Sequence, residues 1–141
     1  MAELFGVCGV LFCGHDAERK VLLVIEKEGD KLLGKKPGMV TIPMGRKAEC
    51  ETPEDAIIRE FGEETGLKVE IVRPIEDITQ YPTTNGPIQF RAFVVRQKNE
   101  ASIRGELKTR WMSVDNFLLL PNKEVRPLSQ EIVCLARPAP P

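Results

Sequence analysis

Histidine and closely spaced cysteines are scarce in this chain. It has one histidine, His15, and four cysteines, and no cysteine stands in a C-x-x-C pair or in a zinc-binding spacing with that histidine. A structural zinc site is usually built from four cysteine or histidine ligands at short spacings, so the sequence excludes a zinc module. We expect four reduced thiols in a cytoplasmic protein, packed as small residues of its hydrophobic core.

A strong charge of one sign and a long hydrophobic run are also missing. Twenty basic and twenty-one acidic side chains leave a formal net charge of -1. Such a balance provides no basic field for nucleic acid or an anionic membrane, so we expect no stable nucleic-acid binding and no membrane association. The apolar segment MAELFGVCGVLFCG carries Glu3 and is too short to span a bilayer, and we interpret it as a core strand.

The order of apolar runs and turn residues predicts one mixed α/β domain over residues 1–137, followed by a proline-rich tail at 138–141. Two apolar runs separated by GHDAERK predict an opening β-hairpin. Further patterns predict two short helices, one capped by Ser113 or Asp115 and one starting at Pro127. The predicted strands cover residues 3–13, 21–26, 39–42, 68–81, 88–97 and 108–112.

The clearest single element is a helix from about residue 53 to residue 65. Thr52 is a good N-cap, Pro53 suits the first helical position, and Gly66 is a common stop. Glu60, Glu63 and Glu64 fall at i, i+3 and i+4, which places three carboxylates on one helix face. Because like charges so placed repel one another, the cluster predicts a bound divalent cation and hence phosphate chemistry.

Residues 45–67 read GRKAECETPEDAIIREFGEETGL and match the pattern G-x5-E-x7-R-E-U-x-E-E-x-G-U, where U is an apolar residue. On this motif the chain resembles the Nudix hydrolases, the MutT-like family, although Phe61 stands where the family more often has an aliphatic residue. The resemblance implies a Nudix-type α/β/α sandwich with a mixed sheet. It also implies a hydrolase that uses Mg²⁺ or Mn²⁺ to cleave a diphosphate linkage in a nucleoside diphosphate derivative. The fixed positions are Gly45, Glu51, Arg59, Glu60, Glu63, Glu64 and Gly66.

The resemblance also suggests a role for each acidic or basic residue of the motif. Glu60, Glu63 and Glu64 would bind the metal, and either Glu63 or Glu64 would act as the general base. Arg59 would orient Glu51 through a bidentate pair. A further acid from a later loop is common in the family. Here the available acids are Glu100 and Glu106, of which Glu106 is the better candidate, while Thr109 stands where several relatives carry a glutamate.

Substrate choice is less well specified by the sequence. The resemblance assigns Met44 and Gly45 to substrate binding, and also Tyr81 and Pro82, since ADP-ribose-hydrolysing relatives have a similarly placed proline after the motif. ADP-ribose or a nucleotide sugar, a nucleoside triphosphate and a dinucleoside polyphosphate remain open as substrates, for a monomer or a homodimer. The alternative from another class is a Nudix module that binds a nucleotide without cleaving it.

Three lysines precede the motif in a loop rich in glycine and proline. Lys31, Lys35 and Lys36 could form a basic rim for substrate phosphates or simply belong to a solvated surface loop. We favour the surface loop, because charged loop residues usually face solvent. His15 falls in the predicted hairpin turn, and we assign it no role.

Overall fold

The computed structural model describes residues 4–98 and 104–137. Within these ranges the chain forms eight strands and three α-helices, with short 3-10 turns at Asp16–Glu18 and Asn122–Glu124. The strands are β1 (Phe5–Cys13), β2 (Lys20–Ile25), β3 (Val40–Thr41), β4 (Met44–Arg46), β5 (Val69–Ile75), β6 (Gln80–Tyr81), β7 (Ile88–Gln97) and β8 (Lys108–Ser113). The helices are α1 (Pro53–Thr65), α2 (Val114–Leu118) and α3 (Ser129–Ala136).

Strand β1 lies at the centre of a mixed sheet. It pairs in parallel with β7, from Phe5 opposite Gln89 to Leu11 opposite Val95. Its other edge pairs antiparallel with β4 over its first half and with β2 at its end. The remaining pairs, β2 with β3 and β8 and β7 with β5 and β6, are all antiparallel. The sheet therefore brings the segment before α1 directly beside its most buried strand.

Helices cover both faces of this sheet. Alternate residues of β1 point to opposite sides, so that Val7 and Leu11 pack with α1 while Cys8 and Val10 pack with α2 and α3. Gly9 lies under α1, and a Cβ there would come within 3.1 Å of Ile57 and 3.2 Å of Phe61. The missing side chain lets the helix approach the sheet closely, and the two covered faces confirm the predicted α/β/α sandwich.

Most predicted elements are present, and helix α1 has the predicted bounds. Three local predictions need correction. The strand predicted at 68–81 is two strands, β5 and β6, because the chain turns at Glu76 and Asp77. Strand β4 was missed, because three residues around Gly45 show no apolar alternation. Helix α3 begins at Ser129 and not at Pro127, since Leu128 adopts a left-handed backbone with a φ of 71°.

The cysteines also differ from expectation. Only Cys8 is buried, whereas Cys13, Cys50 and Cys134 are exposed free thiols. Burial raises the pKa of the Cys8 thiol far above its ordinary value. The expectation that all four would pack in the core was therefore wrong for three of them, because the residue type alone does not predict whether a cysteine is buried.

None of the helices in the described ranges is long and apolar enough to cross a membrane.

Candidate active site

Helix α1 is positioned by its two ends and by one buried face. The Thr52 hydroxyl accepts a hydrogen bond from the Asp55 backbone N–H at 3.1 Å, which caps the first turn. At the other end Gly66 adopts a left-handed backbone with a φ of 80° and donates its N–H to the Gly62 carbonyl. Ile57 and Phe61 are fully buried against the sheet. The helix is therefore fixed in register, and its acidic residues have defined directions.

Arg59 is the centre of the hydrogen bonds made by the acidic residues. Its Nε and Nη2 donate to the two carboxylate oxygens of Glu51 at 2.7 and 2.9 Å, which confirms the predicted bidentate contact. Its Nη1 donates to Glu60 at 2.9 Å and to Glu63 at 3.2 Å, and Nη2 also donates to the Arg46 carbonyl. The hydrogen bonds from Arg59, followed by one from the Ala48 N–H, lower the pKa of Glu51 to about 2.

Glu60 and Glu64 form a close pair of carboxyl groups. Their side chains share a hydrogen bond, and Glu64 is only 7% exposed. Burial is the main cause that raises the pKa of Glu64 to about 9, and the negative charges of Glu60 and Glu26 add to it. Burial also raises the pKa of Glu60. In the metal-free protein Glu64 is consequently protonated at neutral pH and donates to its neighbour.

Gly45 makes room for this pair. A Cβ at residue 45 would overlap the Glu60 carboxyl group, so glycine leaves that side chain free to occupy its observed position. The sequence motif indicates that Gly45 matters, and the structure gives a steric reason for it. Gly45 therefore lies against Glu60 and also lines the cleft in which a substrate is predicted to bind.

Glu106 reaches the same region through a loop that docks on the end of α1. The N–H groups of Glu106 and Leu107 donate to the carbonyls of Glu63 and Glu64 at 2.9 and 3.1 Å. Gly105 permits this contact, since a Cβ there would overlap the Glu64 carbonyl. The other candidate acid, Glu100, lies outside the described residues. Gly105 was not singled out in the sequence, because its constraint comes from a helix about forty residues earlier.

Glu60, Glu64 and Glu106 line a cleft that has two adjoining halves. We call the first half the acidic pocket, with a volume of about 490 Å³, and the second the aromatic pocket, with a volume of about 170 Å³. The acidic pocket contains Glu26, Glu60, Glu64 and Glu106. The aromatic pocket contains Phe5, Tyr81, Ile88 and Phe90. The two halves share Lys35, Met44, Gly45 and Arg46.

Glu63 takes a different position from the other two helix glutamates. Its side chain is 47% exposed and pairs with Arg59 at the rim of the site. Glu60 and Glu64 instead face into the acidic pocket. The three carboxylates do lie on the predicted helix face, but only two of them line the cleft.

The structure also separates the four residues predicted to bind substrate. Met44 and Gly45 line both halves of the cleft. Tyr81 is 1% exposed, and its ring lines the aromatic pocket while its hydroxyl donates to the Leu33 carbonyl. Pro82 is exposed and lines a different groove beside Gly34. Only the first three residues are therefore placed to contact a ligand in the cleft.

Two residues of the cleft, Glu26 and Arg126, were missed from the sequence. Glu26 is 5% exposed and forms ion pairs with Arg126 at 3.2 Å and with Lys35 at 3.3 Å. Lys35 lies in the predicted loop with its side chain partly exposed, and it lines both pockets, whereas Lys36 lines another groove. One signal was available for Glu26, since an acid directly after the apolar run VLLVI is unusual for a buried strand end.

The acidic pocket suits a hard divalent cation in its chemistry. Among residues 4–98 and 104–137, no three acidic, histidine or cysteine side chains are already arranged to hold a metal ion. Glu60 and Glu64 share a proton instead, and both offer only oxygen ligands, which Mg²⁺ and Mn²⁺ prefer. A cation could therefore take the place of that proton between the buried Glu64 and the partly buried Glu60, with Glu106 lining the same space.

Comparison with solved structures supports the same architecture. The Nudix domain of Shewanella oneidensis NrtR, solved with ADP ribose, is 19% identical with a TM-score of 0.72, and the match covers 96% of this chain and 87% of that chain. A Caenorhabditis elegans Ap4A hydrolase is 15% identical with a TM-score of 0.66, over 94% of this chain and 93% of that chain. At these identities the likeness is one of fold.

The comparisons do not support the expectation that nucleic-acid binding is absent. NrtR solved with a 27mer DNA is 18% identical with a TM-score of 0.61, and the match covers 94% of this chain but 59% of that longer one. At this identity and coverage the likeness is one of fold, so the expectation of no stable nucleic-acid binding stays a prediction.

The sequence model of the NUDIX domain matches residues 6–133, which is most of the chain. This match includes the acidic pocket, most of the aromatic pocket and the whole of helix α1. On this match, together with the observed fold, the chain belongs to the Nudix family.

Proposed function

We propose that this protein is a metal-dependent hydrolase that cleaves a diphosphate linkage in a nucleoside diphosphate derivative. The observation that carries the proposal is that the acidic and aromatic pockets adjoin and share four lining residues. An aromatic recess suits a nucleobase, and a group of carboxylates beside it suits a cation that binds phosphate oxygens. The two halves together match the two ends of a nucleotide.

Each residue of the site then has a role in this reaction. Glu60 and Glu64, with Glu106 beside them, would hold Mg²⁺ or Mn²⁺, which supplies charge stabilisation for the phosphates and acidifies water. Of the two candidate bases, Glu64 is better placed than Glu63 because it faces the pocket. Arg59 and Glu51 are positioning residues that hold Glu60 in place.

Several substrates fit this description, and the proposed reaction includes all of them. ADP-ribose, nucleotide sugars, dinucleoside polyphosphates and nucleoside triphosphates each contain a nucleoside and a phosphoanhydride. The similarity of the fold to proteins solved with ADP ribose or named as Ap4A hydrolase is compatible with the first three classes. A further groove beside the acidic pocket leaves room for a group on the far side of the phosphates. The first three classes carry such a group and nucleoside triphosphates do not, so we place those three first.

The test is product analysis of the purified protein across these four classes, with Mg²⁺, with Mn²⁺ and with a chelator. We expect release of a nucleoside monophosphate from one class, loss of turnover in chelator and recovery when the metal is restored. Turnover that persists in chelator would contradict the metal requirement. Binding of nucleotides with no turnover of any class would favour the nucleotide-binding module instead.

A further inference from the structure

The junction of the two pockets contains a group of charges that the Nudix motif does not include. Glu26, at the end of β2, faces two cations, Lys35 at 3.3 Å and Arg126 at 3.2 Å. These three side chains together carry one net positive charge, and Lys35 places its own charge where the aromatic pocket meets the acidic pocket. That location is where a nucleotide bound with its base in the aromatic pocket would have its phosphates.

Arg126 and Lys35 differ in how fully their hydrogen-bond donors are occupied by other groups of the protein. Arg126 is buried, donates from Nε to the Tyr81 hydroxyl at 3.1 Å, and stacks over the Tyr81 ring at 5.4 Å. The Lys35 side chain is 26% exposed. A lysine ammonium has three donors on a flexible stem, so Lys35 can keep its contact with Glu26 and still bind an oxygen of a ligand.

The backbone around Lys35 is held firmly for a surface loop. Lys35 and Asp30 exchange two backbone hydrogen bonds, at 2.8 and 3.0 Å. One residue before Lys35, Gly34 takes a left-handed backbone with a φ of 64°, and the carbonyl of Leu33 accepts the Tyr81 hydroxyl. The loop is thus attached to the wall of the aromatic pocket, and the ammonium group is presented at the junction.

We propose that Lys35 binds a phosphate of the substrate at this junction and that Glu26 is a positioning residue that holds Lys35 there. The ligand class is a nucleoside diphosphate group, with the base in the aromatic pocket and its phosphates between Lys35 and the acidic pocket. The inference rests on the proposed function for the direction in which the nucleotide lies. It concerns binding, however, and binding is measured separately from turnover.

The experiment measures the affinity of ADP and of GDP, each against its own nucleoside, by calorimetry in the presence of Mg²⁺. In Lys35→Met we expect about tenfold weaker binding of the diphosphate and unchanged binding of the nucleoside, because one charge-assisted contact to phosphate is lost. Lys35→Arg should restore most of the affinity. Lys36→Met is the matched control, since that lysine lines a different groove, and it should bind as the wild type does.

Glu26 is tested through its coupling to Lys35. Glu26→Gln should weaken diphosphate binding in the wild-type background and have a much smaller effect in the Lys35→Met background, because the two act through one contact. Thermal unfolding of each variant checks that the fold is intact. Additive effects would show that Glu26 does not act through Lys35 and would overturn that part of the proposal.

The outcomes separate this inference from the proposed function. Equal effects of Lys35→Met and Lys36→Met, an equal loss of nucleoside binding, or no binding of either diphosphate by the wild type would overturn the phosphate role of Lys35. A wild type that binds the diphosphates through Lys35 but hydrolyses none of the four substrate classes would retain this inference and overturn the hydrolase.

Discussion

The guanidinium of Arg59 and the carboxylate of Glu51 form two parallel hydrogen bonds of 2.7 and 2.9 Å. Glu51 lies in the loop before helix α1, and Arg59 lies in the second turn of the helix, so the pair ties loop and helix together. The same guanidinium holds Glu60. The orientation of a proposed metal ligand therefore depends on a carboxylate that does not itself line the cleft.

This dependence predicts the effect of Glu51→Gln. The variant keeps the shape of the side chain but loses one charge-assisted hydrogen bond to Arg59, so we expect kcat to fall by about 10- to 100-fold with the fold retained. Steady-state kinetics on the substrate identified by product analysis checks this. Glu49→Gln, an exposed change in the same loop, is the control and should leave kcat unchanged. Equal kinetics in both variants would contradict the positioning role.

Glu64 offers a second test on the same helix. Glu64→Gln should lower turnover by at least about 100-fold, because a buried carboxyl facing the acidic pocket loses its capacity to bind a cation or take a proton. Glu54→Gln, in the exposed first turn of α1, is its matched control. A Glu63→Gln variant should lose less activity than Glu64→Gln, and the reverse order would make Glu63 the base.

Alanine substitutions at Gly45 and at Gly62 should have different effects on the protein. Gly45→Ala places a methyl group in the Glu60 carboxyl, so we expect a strong loss of activity as that side chain is displaced. Gly62→Ala meets only the Leu67 carbonyl at 3.8 Å and should stabilise helix α1 by about 0.5–1 kcal/mol. Urea unfolding and kinetics on both variants check these outcomes. A fully active Gly45→Ala would show that the Glu60 position is not critical.

The Glu60–Glu64 pair also predicts how pH affects stability. The pKa of Glu64 is about 9 in the metal-free protein, above its ordinary value of 4.5. Between these two values the folded state holds a proton that the unfolded state has released, so the stability of the metal-free protein should fall as pH rises. Binding of Mg²⁺ would displace that proton, and the increase in Tm on adding Mg²⁺ should grow from pH 6 to pH 9.

Thermal melts in chelator and in Mg²⁺ across this pH range measure both effects. The Glu64→Gln variant cannot ionise at this position and should flatten the pH dependence in both conditions. An Mg²⁺ effect on Tm that stays constant with pH in the wild type would mean that no proton leaves when the cation binds.

The cysteines give a prediction that is independent of the active site. Three thiols are exposed and one, Cys8, is fully buried with a raised pKa. A thiol reagent added to the native protein should therefore modify three groups rapidly and the fourth only after denaturation. Cys8→Ser should remove the thiol that reacts only after denaturation and leave the three rapid reactions unchanged. Four fast groups in the native protein would contradict the burial of Cys8.

The sequence predicts those parts of the molecule that depend on neighbours along the chain. Helix α1 is predicted to its residue bounds because its cap, first proline and final glycine are local signals. The Arg59–Glu51 contact is predicted because both residues stand within one motif. The contact between Glu26 and Arg126 could not be predicted, since the two residues are 100 positions apart and neither belongs to a motif.

The position of Glu106 was predicted only in part from the sequence. The resemblance suggested an acid from a later loop, but only the docking of that loop on the end of α1 explains why this acid faces Glu60 and Glu64. The close approach at Gly105 depends on the backbone of a distant helix, which no local pattern encodes. Tertiary contacts of this kind decide which acids in the chain share one pocket.

The parallel pairing of β1 with β7 has a consequence for how the chain folds during synthesis. Among the eight described strands, β1 is synthesised first. Its parallel partner β7, which pairs with it from Gln89 opposite Phe5, is synthesised only after most of the domain. Until then β1 can pair with β2 and β4 alone, and one edge of the most apolar strand stays open. Contacts so distant in sequence slow folding, and an open apolar edge favours association between chains. The nascent domain should therefore be most prone to association before β7 has been made.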